Sequence, residues 1–157
     1  MTRLKRFAFT LMTCAIIFAG EPSGADQHQA STSQTLYVPV YSHSYGGNKE
    51  RPFHLAVTLS IRNTDKTHTI SLTTVDYYDS EGKLLRHYLD KPVDLGPMAS
   101  TRYIVKESDI EGGSGANFLV AWESIQPVSI PIVESVMIGT QSQQGISFTS
   151  RGQVISK

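Results

Sequence analysis

The chain has 157 residues, 39% of them hydrophobic, which is enough for a leader and one domain with a real core. Fourteen basic residues balance fourteen acidic ones, so the overall charge gives no electrostatic footprint for nucleic acid or an anionic lipid surface. A single cysteine excludes a disulfide framework within the chain.

Arg3, Lys5 and Arg6 form a basic n-region ahead of an apolar run from Phe7 to Ala19. Thirteen residues are too few to cross a bilayer as a helix, which takes about 20. They suit the h-region of a secretory signal peptide. Ser23-Gly24-Ala25 supplies small residues before a cut, so residues 1–25 are expected to be a signal peptide cleaved after Ala25. Cleavage after Gly20 is the alternative, and it would put Phe18 where a small side chain is preferred. Cys14 lies inside the apolar run; Thr13 before it is bulky for an acylation site, and the run continues to Ala19, which argues against a lipid anchor. The expected mature chain has no cysteine, no transmembrane helix, and 11 basic residues against 13 acidic ones. It would reside in the periplasm or outside the cell.

Residues 26–33 (DQHQASTS) are polar and aperiodic, as in a flexible spacer, and residues 34–157 form the expected single domain. Gln34 to Tyr41 alternates Leu36, Val38 and Val40 with Tyr37, Pro39 and Tyr41; Pro39 has no N–H to give a ladder, which makes this an edge strand or one with a free outer side. Ser42 to Pro52 reads as a loop, with turn chemistry at Gly46-Gly47-Asn48. Phe53 to Ile61 alternates strictly, Phe53, Leu55, Val57, Leu59 and Ile61 on one face, as a strand with one buried side requires. Asn63 to Lys66 is a turn, Ile70 to Tyr78 a second strand, and Asp79-Ser80-Glu81-Gly82 a tight reversal in which Gly82 takes a positive φ.

Short strands follow at Leu84–Leu89 and Ala99–Val105, with a brief extended piece at Val93–Leu95. The acidic and glycine-rich connection Glu107–Asn117 leads to a strand with Phe118, Val120 and Trp122 facing inward. Pro127 and Pro131 bracket a linker, and Ile132–Ile138 is the next strand, with Val133, Ser135 and Met137 on one face. A last short strand is expected near Ile146–Thr149. No stretch holds helical periodicity over ten residues. Seven or eight short strands separated by turn signals point to an all-β fold, an antiparallel immunoglobulin-like β-sandwich with Trp122 at the inter-sheet centre.

The segments LYVPVYS (36–42), LSIRNTD (59–65), VDYYDSEGKLL (75–85), GGSGANFLVAW (112–122) and MIGTQSQQGISFTSRGQVI (137–155) resemble a family of exported bacterial proteins. That family is known only as a domain of unknown function (three-one-two-four). The resemblance spans nearly all of the expected mature chain and brings no activity, cofactor or catalytic residue. The order of strand, Asn-Thr turn, strand and Tyr-Asp hairpin is also similar to small extracytoplasmic immunoglobulin-like domains, which bears on fold alone.

The five histidines, His28, His43, His54, His68 and His87, match no metal-ligand spacing and read as solvated side chains. Gly112-Gly113-Ser114-Gly115-Ala116 approaches a nucleophile elbow but feeds a strand, where that device needs a helix. Asp76, Asp79 and Glu81 are explained as turn and solvated carboxylates. Tyr41, His43, Tyr45 and Arg51 crowd one loop and are expected to cover one end of the sandwich, with a surface binding patch as the alternative.

The tail from Gly139 to Gly152 is rich in amide and hydroxyl groups with one aromatic, too polar for a core strand. Such groups suit recognition of a peptide, a sugar or a partner's edge, and an ordinary edge strand with a polar outer face is the alternative. The candidate binding residues are Gln143, Gln144, Ser147, Phe148, Thr149 and Arg151, with Phe148 as the apolar anchor. The expectation is an exported, non-catalytic binding or structural domain of the bacterial cell envelope, without cofactor or metal. Its partner would be another envelope protein or a peptide, not nucleic acid. A hydrolase or metal-dependent enzyme on a β scaffold is the alternative.

Overall fold

The computed structural model describes residues 30–45, 51–141 and 144–157. The expected signal peptide, Cys14, His28 and Gln143 lie outside them. Every strand pairing among the described residues is antiparallel. No helix there is long and apolar enough to cross a membrane.

The first sheet contains β1 (Ala30–Pro39), β5 (Ile70–Tyr78), β6 (Leu84–His87), β7 (Val93–Leu95), β9 (Asn117–Ser129) and β12 (Gln153–Ser156). Its order is β12-β1-β9-β5-β6, with β7 also paired to β5. The second sheet runs β11-β10-β4-β8, from β4 (Ala56–Arg62), β8 (Ser100–Val105), β10 (Ile132–Gln141) and β11 (Gln144–Arg151). β2 (His43–Tyr45) and β3 (Pro52–His54) form a two-stranded ribbon. A 3-10 turn at Gly113–Gly115 precedes β9.

The alternation in the sequence places one core between the two sheets. Leu36 and Val38 of β1, Val75 and Tyr77 of β5, and Phe118, Val120 and Trp122 of β9 enter from one side. Val57, Leu59 and Ile61 of β4, with Val133 and Met137 of β10, enter from the other. Each fully buried aliphatic side chain contributes about 1.5–3 kcal/mol relative to exposure. Trp122 sits in this core as expected.

Twelve strands are present among the described residues, where seven or eight were expected. Three-residue strands such as β2, β3 and β7 are too short to show a period. Ser42–Pro52 is therefore not all loop: its two ends pair, His43 with His54 and Tyr45 with Pro52. Leu55 breaks the expected Phe53–Ile61 strand into β3 and β4, because its N–H donates to the Ser42 carbonyl instead of a ladder partner. The spacer is shorter than expected, since Ala30, Ser31 and Ser33 pair with β9. β9 continues through Pro127 to Ser129; the proline lies where the pairing to β1 shifts register and no ladder donor is required. The tail holds two strands, joined at Gly152 where the chain passes from one sheet to the other.

The Asn63–Asp65 turn holds one end of the molecule together. The Asn63 amide donates to the carbonyls of His68, Leu95 and Gly96 at 2.8, 3.0 and 3.0 Å. Thr64 donates to the Ile130 carbonyl at 2.9 Å. Asp65 accepts the N–H groups of Thr67 and His68 at 2.9 Å and that of Ser129 at 3.0 Å. This LSIRNTD segment thus ties the ends of β4, β7 and β9, so its polar residues are structural. At the opposite end, Gly112 lies so close to the Tyr77 hydroxyl that a Cβ would collide with it. The Gly112 carbonyl accepts both the N–H and the hydroxyl of Ser80 at 3.0 Å. Close packing accounts for that glycine run.

Candidate interaction edge

Among the described residues β11 has a strand neighbour on one side only, β10, and so presents a row of main-chain groups at the flank of its sheet. The period of two divides its side chains. Ser147, Thr149 and Arg151 are exposed on the outer face, opposite Ile138, Val136 and Glu134 of β10. Gln144 pairs with Gln141 at the start of the strand.

Phe148 departs from the expected role. It lies opposite the fully buried Met137, packs against the core, and meets Tyr41 edge-on with ring centroids 5.7 Å apart. Phe148 and Ser150 are partly buried where Ser147, Thr149 and Arg151 are exposed, so the aromatic that looked like an exposed anchor is half-buried packing. Among the candidates, Ser147, Thr149 and Arg151 share one accessible face, and the backbone edge supplies the rest.

The loop end of the molecule divides in the same way. Tyr41 covers the core through Phe148. Tyr45 is 58% exposed and accompanies His43, with 3.1 Å between its hydroxyl and His43 Nε2. His43 and His54 face each other across the ribbon, ring centroids 6.4 Å apart. His54, Glu107, Ser108 and Ile110 line an open depression of about 650 Å³. No group of three metal-ligating side chains occurs among the described residues.

Two polar clusters were not foreseen from the sequence. His87 Nδ1 lies 2.8 Å from Asp76 Oδ1, on the outer side of the six-stranded sheet. This pair holds the orienting half of an acid–base device, but no hydroxyl group bonds the imidazole among the described residues. The β5–β6 register, Asp76 opposite His87, creates it, and the alternation of β5 marks Asp76 as outward. In the second cluster, Arg86 bridges Asp109 Oδ2 at 3.1 Å and the Tyr88 hydroxyl at 3.1 Å, and Tyr88 donates to the Ile104 carbonyl at 3.0 Å. Burial raises the Tyr88 phenol's pKa, and the Arg86 hydrogen bond opposes that shift. This network bridges β6 and β8, the far strands of the two sheets, and is an architectural tie.

No curated protein matches the chain. A solved structure, described as the crystal structure of Thermotoga maritima 1070, is similar over 76% of this chain and 92% of its own, at 16% identity and a TM-score of 0.43. The family model described as a protein of unknown function (DUF3124) matches residues 33–155, from the third residue before Leu36 to the final strand, and the chain belongs to that family.

Proposed function

We propose that this chain is an exported, non-catalytic binding or structural domain of the bacterial cell envelope, acting in the periplasm or outside the cell. Its β11 edge would take up an extended segment of another envelope protein or peptide by strand addition. The observation that carries this reading is an edge strand of eight residues with a single neighbour among the described residues and three exposed polar side chains, Ser147, Thr149 and Arg151. Main-chain bonds along such an edge give affinity, and alternate side chains select the partner.

Export is supported by the basic n-region and apolar run ahead of Ala25. An immunoglobulin-like sandwich is supported by β4 beside β8 in one sheet and β5 beside β9 in the other, the B–E and C–F pairings of that architecture. β10 lies beside β4 and β1 beside β9, the places of its A and G strands with their chain order exchanged.

The test is a pulldown from envelope extracts with the wild type and with Thr149→Asp/Arg151→Glu, two exposed changes that oppose strand addition. The variant should keep the wild type's β circular-dichroism spectrum and lose the partner that the wild type retains. A folded variant that keeps every partner would remove β11 as the recognition edge.

A further inference from the structure

The outer face of the four-stranded sheet carries a feature that strand addition does not use. Its side chains fall into rows set by register. One row is Arg151, Glu134, Ser60 and Arg102; the next is Ile132, Arg62 and Ser100; on the other side lie Thr149, Val136, Thr58 and Ile104. Three arginines and one carboxylate therefore share a face, on a chain whose overall charge is balanced. Arg62 opposes Ser100 and Arg102 opposes Ser60, so the two arginines are diagonal neighbours across β4 and β8. Diagonal positions lie within reach of long side chains, and two like charges there repel unless something negative sits between them.

A cavity of about 320 Å³ occupies this place, lined by Thr58, Ser60, Arg62, Ser100, Arg102 and Val136. Arg62 Nε donates to the Ser60 hydroxyl at 3.2 Å and stands 3.9 Å from Glu134 Oε1, at the outer limit of an ion pair. Arg102 has no hydrogen bond or ion pair among the described residues. Glu134 lies across β4 from Arg102, opposite Ser60 on β10, and so leaves the Arg102 side uncompensated.

We propose that this cavity binds a phosphate group, with the guanidinium groups of Arg62 and Arg102 on either side and the hydroxyls of Thr58, Ser60 and Ser100 as further donors. A guanidinium offers a fork of N–H donors matched to phosphate oxygens, and charge-assisted bonds of this kind are the strong ones. Two forks and three hydroxyls supply more donors than the two oxygens of a carboxylate use, and they suit the three free oxygens of a phosphomonoester. The site is independent of export and of the β11 edge.

The experiment is a titration of the isolated protein with inorganic phosphate, followed by backbone amide NMR at constant ionic strength. Saturable shifts confined to Thr58–Arg62 and Ser100–Arg102 are expected. Arg62→Gln and Arg102→Gln should each weaken binding about tenfold or more, as loss of a charge-assisted hydrogen bond entails. Both side chains are exposed, so each variant should keep the wild-type spectrum elsewhere. Lys83→Gln, an exposed cation on the β5–β6 hairpin, should bind as the wild type does. Glycerol 3-phosphate separates the two sources of the group: tighter binding than phosphate assigns an ester, such as a sugar or lipid headgroup, and equal binding assigns the free ion. Equal shifts with chloride or acetate, unchanged affinity in both arginine variants, or equal weakening by Lys83→Gln would overturn the proposal in favour of an ordinary solvated basic face.

Discussion

Asp65 is the residue on which most polar order converges. The backbone N–H groups of Thr67, Ser129 and His68 hold its carboxyl well below the usual carboxylate range, and burial only partly opposes them. A folded-state pKa below the unfolded value means the charged form is favoured by folding. The stabilisation is present above the unfolded value, about 3.9, and is lost as pH falls from there toward the folded value. Urea midpoints should therefore drop for the wild type between pH 6 and pH 3. Asp65→Asn should start lower at pH 6 and fall less over the same range. Parallel wild-type and variant curves would remove Asp65 as a source of acid sensitivity. His68 Nδ1, 3.2 Å from the same carboxylate oxygen, belongs to the cluster, and a second variant, His68→Gln, separates its contribution.

At the scale of the element, β4 and β11 show how far alternation carries. In β4 the inward set was legible, and Val57, Leu59 and Ile61 are all fully buried. Leu59→Ala should cost about 2–5 kcal/mol in chemical denaturation, as core truncations do. In β11 the same period applies, but the strand is too polar to reveal which parity faces in. That was decided by pairing with β10, which sets Phe148 beside Met137 and against Tyr41. Phe148→Ala should cost about 1–3 kcal/mol, less than full burial of the ring would imply. A cost below ~0.5 kcal/mol, the range of surface changes, would return Phe148 to the exposed face. The charged side chains follow the same logic. Arg62 and Arg102 are forty residues apart and acquire a common cavity only through the β4–β8 register.

For the whole molecule, the remaining expectation is export: the protein recovered from the envelope should begin at Asp26 or within a few residues of it by mass spectrometry. Recovery of the intact N-terminus from the cytoplasm would remove the envelope assignment, and a lipid on Cys14 would replace release with anchoring. The all-β class, most of the buried set, the Gly82 reversal and the polar Asn63–Asp65 turn were determined by the sequence alone. Each is local: period-two burial, turn chemistry and the positive φ of glycine act within a few residues. The tertiary structure decided which strands are edges, that the chain shifts between sheets at Gly152, and that Leu55 breaks a strand to satisfy the Ser42 carbonyl. It also decided that Asp76 meets His87 and that Arg62 stands diagonal to Arg102. These depend on strand order and register, which arise from pairings between distant segments, and the residues themselves carry no local signal of their partners.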